Sequence, residues 1–455
     1  MSPPTAVKVR PRIIIHGGAG NIQPSAMSAD EYEKHRKSLL SIITSTDAYM
    51  RTPKNKPTEK NPGPRYPSAL EIATYAVVQL ENDPLYNSGR GAVFTRDGIN
   101  ELEASVMVSR GFAKRGLGVT GLRAVKNPVL LAKAMLEHGE QDLLLPSTLA
   151  NLDRDVPSAQ GHTLIHGETA ETLARQYGLE MVDQSYYFTQ KRWDEHVRGL
   201  EKKNAGSSWR SDEYIPQGTC GAAALDQDGV VCAATSTGGI TNKLTGRIGD
   251  TPVVGAGFWA EEWVETGKGS QSAKAPWESL VDYIRLPGPV VELSSNLGAF
   301  LADCLPTPFM YSPIASRQGW WSGDAEVEIT RSTALSGTGN GDSFLRVAAA
   351  RSAVAIARWA RLPASDAVSQ IAGRGGELER SAGPRWGKTG EGEGGMIGVD
   401  CAIARDRSGT VVYARSEVIQ AHNCAGMFRA WIKDDGSPSV SIWREEEDIP
   451  VGRIS

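Results

Sequence analysis

The segment Gly218-Thr219-Cys220-Gly221 carries the residue types of a self-activating nucleophile. It joins a polar run, Arg198 to Gln217, to the apolar stretch Ala222 to Leu225, which has the composition of a buried strand. A threonine released there by cleavage of the chain would present its hydroxyl as nucleophile and its own α-amine as base. The reference pKa of an α-amine, roughly 8, suits proton transfer near neutral pH. On these four residues alone, an ordinary threonine at the start of a strand remains an open interpretation.

Two charged residues downstream have the chemistry to bind an amino acid. Arg247 can hold a carboxylate through two parallel hydrogen bonds, and Asp250, three residues later, can hold an ammonium group. Small and hydroxyl-bearing residues flank this pair at Ala234 to Gly239 and at Ser336 to Asp342, where a backbone can approach a ligand closely. The pattern predicts a site for the α-carboxylate and α-amine of an amino acid, with a surface ion pair in a loop as the alternative.

The elements that must position these residues follow from hydrophobic periodicity. Ile13 to Ile15 predict a short buried strand that runs into a glycine-rich turn. Ala69 to Leu80 place apolar residues on one face of a helix, and Asp342 to Trp359 predict a single alanine-rich helix. Two hairpins are predicted, one around Asp228-Gly229 and one around Ser408-Gly409. Helices and hairpins that occur in blocks favour an α+β fold over strict alternation.

Composition limits the classes of function. The 455 residues carry a net charge of −4 and show no basic stripe with interleaved aromatic residues, which disfavours a nucleic-acid partner. The five cysteines are spread along the chain without metal-binding spacing, which is typical of reduced thiols. No apolar run approaches the roughly 18 residues that cross a bilayer, and the polar N-terminus has no signal core. We therefore expect a cytoplasmic protein with no membrane partner.

A long segment, from about 261 to 333, separates the region of Arg247 and Asp250 from the glycine-rich stretch Ser336 to Asp342. Its aromatic content argues against simple disorder. Four of the eleven tryptophans fall in it: Trp263, Trp277, Trp320 and Trp321. Because both of its ends start near the predicted site, we expect an ordered insertion that reshapes or covers the substrate pocket.

Four further stretches stand out as a set: Ile14 to Gly20, Leu80 to Gly91, Glu101 to Met107 and Gly426 to Arg429. In this order they resemble the plant-type L-asparaginase/isoaspartyl peptidase family, the branch of the N-terminal-nucleophile hydrolases that uses threonine. The likeness covers most of residues 12–257 and 334–431. It departs after the methionine of the third stretch, where members usually carry Asp-Gly and this chain has Val108-Ser109-Arg110.

The resemblance implies an α+β fold of four layers, an αββα sandwich, made as an inactive precursor. Cleavage between Gly218 and Thr219 would give an α-subunit, residues 1–218, and a β-subunit, residues 219–455, which stay together as one domain. A dimer of such αβ units and no required cofactor are also implied. The implied substrates are L-asparagine, at its side-chain amide, and β-aspartyl (isoaspartyl) peptide bonds, cut through a β-aspartyl ester on the threonine.

The resemblance also implies catalytic roles by position. Thr219 matches the nucleophile, and Thr237 matches a hydroxyl that orients or activates it. Thr338 and the amide of Gly339 match an oxyanion hole. His16 is expected to be structural, because a threonine that uses its own amine needs no imidazole.

Binding roles are implied in the same way. Arg247 matches the anchor for the α-carboxylate, Asp250 and the carbonyl of Gly341 match the partners of the α-amine, and Asn87 matches a polar residue that lines the site. The resemblance further implies a structural sodium held by backbone carbonyls. The matching positions are Leu80, Glu81, Asp83, Tyr86, Ser88 and Arg90.

Other functions stay open at the level of sequence. Asn340-Gly341-Asp342 is similar to the glycosylasparaginase branch. The long insertion suits a larger substrate, as in threonine aspartase, which cuts proteins after aspartate. An uncleaved scaffold that binds proteins without catalysis is a further alternative. A denaturing gel separates the scaffold from the enzymes, because only an enzyme of this type divides into two fragments.

Overall fold

The structure is a computed structural model, and it describes residues 7–55, 63–110, 116–144, 162–204, 218–266 and 327–443. The chain divides into two compact units. The larger comprises Met1–Trp263, Thr330–Ile403 and Tyr413–Ser455, and the smaller comprises Val264–Ile329 and Ala404–Val412. Helices and strands are both abundant in the described residues, so the predicted mixture of α and β structure is confirmed.

The described chain contains twelve strands. They are β1 (Arg12–Gly20), β2 (Leu102–Val108), β3 (Gly116–Leu122), β4 (Leu164–His166), β5 (Cys220–Leu225), β6 (Val231–Thr237), β7 (Phe258–Thr266), β8 (Glu328–Gly339), β9 (Gly394–Arg405), β10 (Val411–His422), β11 (Gly426–Ile432) and β12 (Pro438–Trp443). One sheet has the order β12-β11-β1-β5-β6-β2-β3-β4, and a second has the order β10-β9-β8-β7. In the first sheet β1 pairs antiparallel with both β5 and β11. A strand that precedes Gly218 in the sequence therefore lies between two strands that follow it.

Two groups of helices cover the two sheets. The described helices are α1 (Ala29–Arg51), α2 (Ala69–Asn82), α3 (Pro128–Leu144), α4 (Gly167–Gln176), α5 (Gln190–Asn204), α6 (Gly341–Val347), α7 (Ala349–Trp359), α8 (Ala364–Ala372) and α9 (Glu377–Ala382). The first core lies between α1 to α4 and the eight-stranded sheet. The second core is formed by residues of α6 to α9 and of the four-stranded sheet. None of these helices has the length and apolarity that a membrane crossing requires.

The strand predicted at Ile13 to Ile15 is confirmed and continues through the glycine-rich turn as β1. All three isoleucines are fully buried, and Ile13 and Ile15 belong to the core beneath α1 to α4. Because side chains alternate along a strand, Ile14 points to the opposite face of the sheet. The helix predicted at Ala69 to Leu80 is also confirmed, as α2.

The prediction of one helix from Asp342 to Trp359 is wrong. The chain forms α6 and α7, and Ala348 between them has a left-handed conformation with a φ of +46°. The break is stabilised from outside, because the amide of Ala350 donates to the carbonyl of Ala256 at 3.1 Å rather than to the preceding turn. Periodicity did not indicate this, since alanine-rich sequence continues through the break.

The predicted insertion from about 261 to 333 lies mostly outside the described residues, and so do Trp277, Trp320 and Trp321. Its two ends extend β7 and β8, which are neighbours in the four-stranded sheet. Trp263, on β7, packs in the second core. The ends of the segment are therefore strands of the sheet, while the predicted insertion and its effect on the pocket stay a prediction.

Both predicted hairpins are confirmed, as β5–β6 and β9–β10. The turn of the first contains Asp226, whose carboxylate is buried and accepts the amides of Asp228, Val230 and Ala69, each at 3.0 Å. Ala69 is the first residue of α2, so this turn also satisfies a free amide at the start of a helix. The turn of the second hairpin repeats the loop bonds through Asp406, which is only partly buried and whose hydrogen bonds to Ser408 and Thr410 are exposed.

We expect Asp226→Ala to lower the free energy of unfolding by about 2 kcal/mol, because it leaves the buried amide of Ala69 and two partly buried amides without their acceptor. Asp406→Ala is the matched control and should cost clearly less, since its amides remain accessible to water. The measurement is urea denaturation of both variants in an uncleaved Thr219→Ala background, where a single chain unfolds. Equal losses from the two variants would contradict the role assigned to Asp226.

Candidate active site

A small pocket opens at the start of β5. Six of the residues that the sequence predicted for the site line it: Thr219, Thr237, Arg247, Asp250, Gly339 and Gly341. Thr219 directly precedes β5, Thr237 and Gly339 end β6 and β8, and Gly341 begins α6. Arg247 and Asp250 lie in the loop after β6. The fold thus gathers residues from distant parts of the sequence at one place. Thr338, Asn87 and Gly218 lie outside the lining but next to residues that form it.

The backbone around Gly218 is packed too closely for a side chain. A Cβ on Gly218 would lie 2.6 Å from the Cα of Gly18 and 2.5 Å from the Oγ1 of Thr338. Gly18 itself has a φ of +126°, which L residues rarely adopt. The peptide bond that precedes Thr219 is therefore held against the turn after Ile15 and against the Thr338 hydroxyl.

The hydroxyl of Thr338 is fully buried and has no hydrogen-bond partner among the described residues. A buried polar group without a partner is rare in proteins and costs stability. Gly339, the next residue, has a φ of +137°, and a Cβ there would lie 2.4 Å from the carbonyl of Glu393. The end of β8 thus presents a free hydroxyl next to a backbone that only glycine can form.

The Thr219 side chain is almost fully buried, and its Oγ1 lies 2.9 Å from the Oγ1 of Thr251. Thr251 also lines the pocket. Sequence reasoning gave this residue no role, although it directly follows Asp250. The hydrogen bond makes it a partner of the predicted nucleophile in the continuous chain.

Arg247 and Asp250 meet at Gly341. A Cβ on Gly341 would lie 2.4 Å from Asp250 Oδ1 and 3.3 Å from Arg247 Nη2, so a side chain there would fill their meeting point. Arg247 Nη2 also donates to Asp342 Oδ1 at 2.8 Å, and the Asp342 side chain is 63% exposed. Sequence reasoning did not predict this ion pair.

Asp250 is buried, and its Oδ2 has no hydrogen-bond partner within the described residues. Burial raises the pKa of this carboxyl to about 7, although the nearby Arg247 lowers it, because an ion is poorly solvated there. A cationic partner would therefore stabilise the ionised carboxylate and compensate for the hydration that it loses on burial.

Asn87 lies next to the turn that follows Thr237, beside the pocket. It is buried, and its amide donates to the carbonyl of Gly239 at 2.7 Å while its Oδ1 accepts the amide of Val93 at 3.0 Å. The Oγ1 of Thr237 accepts the amide of Gly239 at 2.9 Å. Asn87 therefore holds the turn that carries Thr237.

Two glutamates at the start of β2 hold the loop that bears Arg247. Glu101 accepts the amide of Gly246 at 2.7 Å, and Glu103 accepts the amide of Gly249 at 3.2 Å. Both glutamates are buried, and Glu103 lines the pocket. Sequence reasoning gave them no role, although a charged residue within an apolar strand is itself a signal.

His16 is buried below the site, with Nε2 2.7 Å from Ser336 Oγ. Burial lowers the pKa of its imidazole to about 3, so the ring is neutral at physiological pH. A Cβ on Gly221, two residues after Thr219, would lie 2.4 Å from His16 Nε2. These contacts are those of a packing residue beneath β5, in agreement with its structural assignment.

The loop Leu80 to Gly91, predicted to bind sodium, is closed by its own hydrogen bonds. The carbonyls of Leu80, Glu81 and Asp83 accept the amides of Asp83, Arg90 and Tyr86. Each carbonyl oxygen has a second lone pair, so these bonds leave it able to ligate a cation. Ser88 adds a hydroxyl, 2.5 Å from that of Ser236. Among the described residues, no cluster of three or more His, Cys, Asp or Glu side chains has the arrangement of a metal site.

The sequence was compared with known protein families. Residues 9–156 and 148–272 match the family model described as Asparaginase, which amounts to more than half of the chain. The chain belongs to the asparaginase family. As a member of this family it is a hydrolase, and the matched region includes Thr219, Thr237, Arg247 and Asp250.

Individual relatives of this asparaginase-family chain agree with the family match. It is 33% identical over 285 residues to the plant-type L-asparaginase of Thermococcus kodakarensis, covering 60% of this chain and 79% of that protein. It is 28% identical over 440 residues to the isoaspartyl peptidase of Escherichia coli strain K12, covering 96% and 97%. It is 29% identical over 293 residues to the isoaspartyl peptidase/L-asparaginase of Macaca fascicularis, covering 64% and 81%.

Proposed function

We propose that this chain is a self-cleaving amidohydrolase that acts on the side-chain amide of L-asparagine and on β-aspartyl peptide bonds. One observation carries the proposal: the Thr219 hydroxyl shares a pocket with Arg247 and with a buried, unpartnered Asp250 oxygen. An α-carboxylate and an α-ammonium are the groups that such a pair binds. Both substrate classes carry these two groups on the aspartyl unit, next to the carbonyl that is cut.

Cleavage between Gly218 and Thr219 is the first step of this proposal. It would leave an α-subunit of residues 1–218 and a β-subunit of residues 219–455. The strand order supports continued association, because β1 of the first fragment lies between β5 and β11 of the second. We further propose a four-layer αββα arrangement, supported by the two helix-covered sheets and by the His16–Ser336 contact between them.

In the hydrolytic step, the new α-amine of Thr219 takes the proton of its own hydroxyl, and the oxygen attacks the side-chain carbonyl carbon. The negative charge that develops on the carbonyl oxygen is stabilised by the Thr338 hydroxyl and the Gly339 amide. Loss of one such donor typically costs about 3 kcal/mol. Ammonia or the peptide amine leaves with a proton, and a β-aspartyl ester remains on Thr219. Water then hydrolyses the ester.

The remaining residues position the reactants. Arg247 binds the α-carboxylate, and Asp250 with the Gly341 carbonyl binds the α-ammonium. Thr237 orients the nucleophile, and Asn87 holds the turn on which Thr237 lies. Of the alternative substrates, glycosylated asparagine retains the free α-ammonium that Asp250 would bind, whereas an internal aspartate of a protein lacks it.

Three further features belong to the proposal without entering a chemical step. The carbonyls of the Leu80 to Arg90 loop hold a structural sodium, and no other cofactor is needed. The cytoplasm is the location, in accord with the free thiols of Cys220, Cys232, Cys401 and Cys424. The active form is a dimer of αβ units.

A substrate panel tests the proposal. Purified protein is incubated with L-asparagine, a β-aspartyl dipeptide, glycosylated asparagine and a protein containing internal aspartates, and released aspartate or new protein ends are measured. Aspartate from the first two compounds is expected. Turnover of glycosylated asparagine alone would point to glycosylasparaginase activity, and protein cleavage alone to threonine aspartase activity. No turnover at all, with a single uncleaved band, would leave the non-enzymatic scaffold.

Asp250 makes the Michaelis constant depend on pH. Its carboxyl must be ionised to bind the substrate ammonium, and its pKa of about 7 means that the neutral form dominates at pH 6. We therefore expect KM to fall about sixfold from pH 6 to pH 7.5, and to rise again above pH 8 as the substrate ammonium, with a reference pKa of roughly 8, loses its proton. Initial-rate kinetics across this range provide the measurement. A constant KM would contradict the assignment of Asp250 as the ammonium anchor.

A further inference from the structure

Glu103 is fully buried in the lining of the pocket, and the proposed hydrolytic step does not use its charge. Its two oxygens lie 3.2 and 3.3 Å from the amide of Gly249, the residue just before Asp250. A Cβ on Gly249 would lie 2.7 Å from Arg247 Nη1 and 3.4 Å from Glu103 Oε2. The Glu103 carboxylate and the Arg247 guanidinium thus lie on the same side of Gly249, which stands between Arg247 and Asp250 in the sequence.

The charge of Glu103 is compensated inside the protein. The ammonium group of Lys243, itself buried, lies 4.0 Å from Glu103 Oε1. Lys243 also donates to the carbonyl of Glu101 at 2.9 Å. Burial raises the pKa of Glu103 and lowers that of Lys243, whereas the attraction between the two acts in the opposite direction on both. A buried ion pair of this kind is retained at a cost in desolvation, so a role beyond stability is a reasonable hypothesis.

We propose that Glu103 is a positioning residue for substrate recognition: its carboxylate fixes the Gly249 backbone between Arg247 and Asp250, and its negative charge acts on Asp250. The inference rests on the proposed function. It assigns Glu103 two separable contributions. The hydrogen bond from Gly249 sets the distance between the two anchors, and the charge sets the pH at which the ammonium anchor becomes ionised.

The second contribution has a definite sign. The charged groups that face Asp250 are Arg247 on its own loop, Glu103 on β2 and Asp342 on α6. Arg247 favours the ionised carboxyl, whereas Glu103 and Asp342 oppose it by repulsion. Removal of the Glu103 charge therefore eases ionisation of Asp250, so the rise of KM at acidic pH should move to lower pH.

Two substitutions separate the two contributions. Glu103→Gln keeps the length and one acceptor oxygen but loses the charge, and Glu103→Asp keeps the charge but loses reach. For Glu103→Gln, the ratio of KM at pH 6 to KM at pH 7.5 should fall from about sixfold to about twofold, the effect of one neighbouring charge. For Glu103→Asp, that ratio should stay near the wild-type value, while KM rises about fivefold at every pH because Gly249 loses its acceptor. The turnover number should change little in either variant.

Glu101→Gln is the matched control. Glu101 accepts an amide of the same loop, at Gly246, but it is not among the charges that act on Asp250. Its pH ratio should therefore equal that of the wild type. If Glu103→Gln leaves Lys243 without a partner and fails to fold, the pair Glu103→Gln/Lys243→Met removes both charges and should show the same reduced ratio. Folding is checked by thermal denaturation of each variant.

Different results would overturn the proposed function and the role of Glu103. Calorimetric binding of L-aspartate to the mature wild-type enzyme reports the anchors without any turnover. Wild-type protein that neither hydrolyses the panel nor binds L-aspartate would overturn the proposed function, and the inference with it. A wild type that behaves as proposed, beside a Glu103→Gln variant with an unchanged pH ratio, would overturn the inference alone.

Discussion

Thr219→Ala is expected to give a single uncleaved chain of 455 residues without measurable hydrolase activity. The substitution removes the hydroxyl that we propose attacks in both maturation and hydrolysis. Loss of a catalytic nucleophile reduces turnover by at least about a thousandfold. A denaturing gel, N-terminal sequencing of the fragments and an aspartate-release assay measure the two effects on the same preparation.

Cys220→Ala is the control for this experiment. The Cys220 thiol is adjacent in sequence, but it is buried in the core beneath α2, and burial raises the pKa of the thiol so that no thiolate forms. This variant should still divide into two fragments and retain activity. Two fragments from Thr219→Ala, or a single chain from Cys220→Ala with Thr219 intact, would show that the nucleophile has been misassigned.

The Asp250→Asn variant is expected to lose about thirtyfold or more in kcat/KM, mainly through KM. The substitution keeps the shape of the side chain but removes the only charge assigned to the substrate ammonium. Truncation of one partner in a buried charged pair costs about 2 to 5 kcal/mol, which corresponds to this range. Maturation should proceed, because self-cleavage involves no free α-ammonium of a substrate. Steady-state kinetics on L-asparagine or a β-aspartyl dipeptide at pH 8 are the test.

Asp342→Asn provides a matched acidic control at the same pocket. Asp342 pairs with Arg247, but it is exposed, and pairs of that kind contribute little. We expect a change in KM of no more than about fivefold. Equal effects from the two substitutions would mean that net charge near the pocket, rather than a specific anchor at Asp250, determines affinity.

The sequence alone predicted much of the site because its chemistry is local. Gly218-Thr219 can be recognised because it directly precedes an apolar strand, and Arg247 and Asp250 are only three residues apart. Their partners are not local. Asp342 lies 95 residues beyond Arg247, and Glu103 lies 146 residues before Gly249, so only the assembled fold brings them together.

The fold was predictable to a similar extent. Periodicity located β1, α2 and both hairpins, because a strand or helix with one buried face leaves its period in the sequence. The order of the strands leaves no such trace, since β1 pairs with strands from the middle and the end of the chain. The break at Ala348 escaped prediction for the same reason, because the carbonyl that stabilises it belongs to Ala256.

The placement of β1 between β5 and β11 has a consequence for the proposed cleavage. Neither of the proposed fragments would hold a contiguous half of the eight-stranded sheet, so we expect the sheet to form before the chain is cut. After such a cut the same strands would belong to two separate molecules. Renaturation would then be a second-order reaction that dilution slows, and the lifetime of the cut protein at high temperature would be governed by its rate of unfolding.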